Sequence, residues 1–85
     1  MSRELVMSAL FDIMHRNFPF KSDDIEVKSD VRLTSPKIGF NNMELYELLM
    51  CIEARFSVSF EPQEIRSKGF DTLNKICDLV CKKLS

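Results

Sequence analysis

Residues 39–60 read GFNNMELYELLMCIEARFSVSF, and this stretch decides the fold. Glu44 follows Asn41 at the spacing of a capping box, with asparagine in the place of serine or threonine. The asparagine oxygen accepts from a backbone N–H that the first turn leaves unpaired, so a helix is expected to open near Asn41. No glycine or proline interrupts it before Phe56. With Met43 at zero and an advance of about 100° per residue, Leu45, Leu48, Leu49, Ile52 and Phe56 fall on one side. Met43, Tyr46, Met50 and Ala54 fall on the opposite side, flanked or interrupted by Glu44, Glu47 and Glu53. A helix that packs against one core needs a single apolar stripe. Burying the neighbouring glutamates without partners would be costly, so the second stripe is expected to be an exposed, acid-bordered face for a partner. Methionine suits such a face because its flexible thioether repacks against different surfaces.

Outward from this helix, the pattern stays helical. The segment from Arg3 to Asn17 carries Val6, Ala9, Leu10, Ile13 and Met14 at three- and four-residue spacing, one face of a helix that Phe18-Pro19-Phe20 ends. Residues Lys21 to Phe40 show no sustained period and read as a long ordered loop pinned by Ile25, Val27, Val31, Leu33 and Ile38. A short β segment is an alternative for DIEVKSDVRL within it. Beyond Phe56, Pro62 is a favourable first helical position, so PQEIRSK is expected to form one or two turns that Gly69 stops. A last helix is expected over Asp71 to Leu84, with Leu73, Ile76, Cys77, Val80 and Leu84 on one stripe. The reading is all-α: three main helices and one short third helix, with a long loop between the first and second.

Length and composition narrow the function. The 85 residues suit one domain over residues 1–85, and 45% hydrophobic with 29% charged residues is a globular, soluble balance. Twelve basic against thirteen acidic residues leave a net charge of −1, without the basic excess that nucleic-acid binding requires. No apolar run approaches the roughly 20 residues that span a bilayer, so no membrane insertion is expected. MSRELVMSALFDIMHR carries Arg3, Glu4, Asp12 and Arg16 and does not read as a signal peptide. Three cysteines, Cys51, Cys77 and Cys81, then point to reduced thiols and a cytoplasmic protein. Cys77 and Cys81 share a helical face, but no second pair accompanies them and His15 is far away, so core thiols are expected rather than a metal site. No Ser/His/Asp or Cys/His constellation has supporting spacing, and Cys51 is expected to pack beside a neighbouring element, so the chain is not read as an enzyme. A monomer is expected.

GFNNMELYELLMCIEARFSVSFEPQEI, followed by GFDTLNKICDLV, resembles the acyl carrier proteins and their peptidyl carrier relatives. In that family a Gly-x-Asp-Ser-Leu motif opens the second helix, and Gly39-Phe40-Asn41-Asn42-Met43 matches it in position. Phe56, Val58 and Phe60 match the family's helix exit, and Thr72-Leu73 matches the start of its last helix. The resemblance covers essentially the whole chain and implies a small four-helix bundle of acyl-carrier-protein type. It also implies what is missing. The family's serine bears a phosphopantetheine arm, and the aspartate before it helps place the metal during arm transfer. Asn42 and Asn41 stand at those two positions.

An amide nitrogen with its lone pair delocalised is a poor nucleophile toward phosphorus, so no cofactor is expected on Asn42. Ser35 lies in the loop before Pro36, and Ser57 and Ser59 lie past the far end of the helix, so none replaces the motif serine. By the same resemblance, Met43, Tyr46 and Met50 match apolar recognition residues and Glu44, Glu47 and Glu53 match acidic ones. Ala54 and Arg55 stand where acidic residues are common, which weakens steering toward basic partners. The expected function is a non-catalytic interaction module that binds a biosynthetic or peptide-maturation enzyme through this helix. The alternative is a working acyl or peptidyl carrier with phosphopantetheine on another serine, or a chain whose native serine was replaced.

Overall fold

A computed structural model describes residues 2–66 and 70–85. Among these, four helices follow in order: α1 (Arg3–Asn17), α2 (Asn42–Phe56), α3 (Pro62–Arg66) and α4 (Leu73–Leu84). No described residue is in a strand. Each long helix opens on a side-chain cap that its sequence supplies. Ser2 Oγ accepts from Leu5 N at 3.2 Å, Asn41 Oδ1 from Glu44 N at 2.8 Å and Thr72 Oγ1 from Lys75 N at 3.2 Å. Thr72 therefore starts α4 two residues later than the expected Asp71, because its hydroxyl takes the capping position. The short α3 begins at Pro62 as expected, whereas its expected stop at Gly69 lies outside the described residues.

The core is one cluster in which α1 packs against both α4 and α2. Val6, Leu10 and Met14 of α1, Leu48 and Ile52 of α2, and Leu73, Ile76, Cys77 and Val80 of α4 are fully enclosed. These are the expected stripes with small changes. Met7 joins the buried face of α1 while Ala9 is only partly covered, and Leu45 and Leu84 lie at the margin of the core. Phe18 turns inward after α1 and sets its ring 4.9 Å from that of Phe40, just before α2. Phe60 and Phe70 meet edge to face at 5.6 Å on either side of α3. The radius of gyration is 11.6 Å, close to the roughly 12 Å expected of a folded domain this long.

The loop between α1 and α2 is a chain of turns, so the β alternative for DIEVKSDVRL is not adopted. Its backbone bonds close locally, as in Ile25 N to Ser22 O and Val31 N to Lys28 O. A lone hairpin has no second layer to cover it, whereas successive turns let Ile25, Leu33 and Ile38 reach the core. Val27 departs from the expected set, since it is 84% exposed. Two long-range backbone bonds tie the loop to the start of α4, from Leu33 N to Asp71 O and from Asn74 N to Ser29 O. Asn74 also donates its side-chain amide to Ser29 Oγ and Asp30.

The outer face of α2 as a candidate functional site

The site is built on the first turn of α2. Gly39 adopts a φ of 81°, a left-handed conformation that favours glycine, and this aims the following residues into the helix. Asn41 then caps the helix, and its own N–H donates to Glu44 Oε1 at 3.0 Å, completing the reciprocal box that the spacing predicts. Lys21, from the preceding loop, locks this corner. Its ammonium donates to Gly39 O at 2.8 Å, pairs with Glu44 Oε2 at 3.3 Å and lies 5.9 Å from the centre of the Phe40 ring. No local signal in the sequence marks Lys21 for this, because its partners are brought near only by the loop path.

Asn42 is the first residue of α2 and is exposed. It lines a recess of about 310 Å³ together with Leu33, Leu45, Tyr46, Leu49 and Phe70. The serines weighed as replacements sit elsewhere. Ser35 accepts from Lys37 N within its own turn, and Ser57 is the left-handed C-cap of α2.

Met43, Tyr46 and Met50 remain 73%, 63% and 57% exposed, and Ala54 is exposed beyond them. The second stripe is therefore not a contact with this chain's own core. Of the three glutamates beside it, Glu47 is exposed, while the other two have work within the chain. Glu44 is bound into the cap and to Lys21, and Glu53 accepts from Phe60 N at 2.9 Å, fixing the exit from α2. Lys21 thus offsets one acidic charge of the border, while Glu53 keeps its own.

At the other edge, Arg55 reaches α1, where it meets Asp12 Oδ2 at 3.1 Å. Arg16 meets Asp12 Oδ1 at 3.1 Å. The hydrogen bond from Arg55 and the charge of Arg16 hold the Asp12 carboxyl below its usual range. These three residues border a groove of about 440 Å³ between α1 and α2, shared with Ile13, Asn17, Cys51 and Ala54. Cys51 is partly buried in it, packed against the core margin as expected.

The other candidates lie apart. His15 is near the end of α1, with Nε2 3.0 Å from Glu26 Oε1. Cys77 is enclosed, with its thiol 3.5 Å from Arg3 O, and burial is the main reason its pKa is pushed up to about 11. All three cysteines are free. Among the described residues no group of three or more metal-ligating side chains comes together, and no helix is long and apolar enough to cross a membrane. No family model matches the chain, and no curated protein or solved structure matches it.

Proposed function

We propose that this chain is an acyl-carrier-related interaction module that has lost the attachment chemistry and kept a docking helix. The observation that carries the reading is the outward stripe of Met43, Tyr46 and Met50 on a firmly capped α2, directly beside a carboxamide at the attachment position. Apolar side chains displayed on a rigid element bind without first being ordered, which favours association. Asn41 and Asn42 preserve the helix start, and neither supplies the hydroxyl or the carboxylate that arm transfer uses. On this reading the protein is a monomeric, non-catalytic member of a four-helix carrier-type fold. It carries no arm and docks on a biosynthetic or peptide-maturation enzyme through Met43, Glu44, Tyr46, Glu47, Met50 and Glu53.

Intact-mass measurement tests the loss of the arm. The protein is purified from its own cells and is also incubated with coenzyme A and a phosphopantetheinyl transferase. The bare-chain mass is expected in both cases, and an arm on any residue would return the chain to the working carriers. The paired substitution Asn41→Asp with Asn42→Ser tests the kinship. It is expected to gain the arm on the introduced hydroxyl, and failure of the folded variant to do so counts against a carrier ancestry.

A further inference from the structure

We draw no further inference here: the strongest candidate, the recess that Asn42 lines with Leu33, Leu45, Tyr46, Leu49 and Phe70, belongs to the site already described, and nothing in the structure shows what would fill it.

Discussion

Asn41 illustrates how much one side chain fixes here. Its oxygen takes the N–H of Glu44, and its own N–H is taken by the Glu44 carboxylate. Asn41→Ala removes the cap and is expected to cost about 1 kcal/mol, read from the shift in urea midpoint at unchanged slope. Cys77 lies at the opposite extreme of accessibility. It is enclosed, and burial raises its thiol to about pKa 11, so the reactive thiolate is scarce at neutral pH. Alkylation of the native protein is expected to spare Cys77 and to reach it only after denaturation. Rapid native labelling at Cys77, mapped by peptide mass, would show that α4 opens locally.

At the scale of the element, α2 has one buried face and one exposed face. Leu48 is fully buried in the core, and Leu48→Ala is expected to cost about 2–5 kcal/mol in denaturant unfolding. Met50 is 57% exposed, so Met50→Glu is expected to leave the unfolding midpoint close to that of the parent. Unfolding by Met50→Glu would mean that the outer stripe is held against the core, and the docking reading would fail with it. The two leucine-rich and methionine-bearing stripes were legible from spacing alone, because 100° periodicity separates them without reference to any neighbour. The roles of Glu44 and Glu53 were only half legible. The cap of Glu44 is local and follows from the sequence, whereas its pairing with Lys21 and the bond from Phe60 N to Glu53 depend on how two loops fold back.

Across the whole molecule, the helices are joined by a scatter of half-exposed ion pairs outside the core. Arg3 meets Asp78 at 2.9 Å and links α1 to α4, and Arg55 meets Asp12 and links α2 to α1. Lys83 meets Glu64 at 2.8 Å and links α4 to α3. Several of these carboxyls are held below their usual range: Asp12 chiefly by the Arg55 hydrogen bond, Glu26 by that of His15, and Glu64 by the backbone N–H of Glu61 and then Lys83. A depressed carboxyl binds fewer protons in the folded than in the unfolded chain, so its stabilisation is present above the unfolded value near pH 4 and is lost as pH falls through the lowered folded value. Urea midpoints are therefore expected to hold from about pH 7 to pH 5 and to fall toward about pH 3. A midpoint unchanged at the acid end would show that these pairs contribute nothing, as many exposed pairs do.

The sequence by itself determined the four helices, the Asn41 cap of α2 and most of the buried stripes, because periodicity and capping are local properties of the chain. It also determined that Asn42 supplies no hydroxyl, which is a matter of covalent chemistry. The tertiary structure decided what distance along the chain conceals. It turned Val27 out and Phe18 in, since neither position follows from a period in a loop that has none. It set Lys21 on the start of α2, and it brought Arg16 and Arg55, 39 residues apart in sequence, to one carboxylate. Such pairings join segments far apart in sequence, which no local period records.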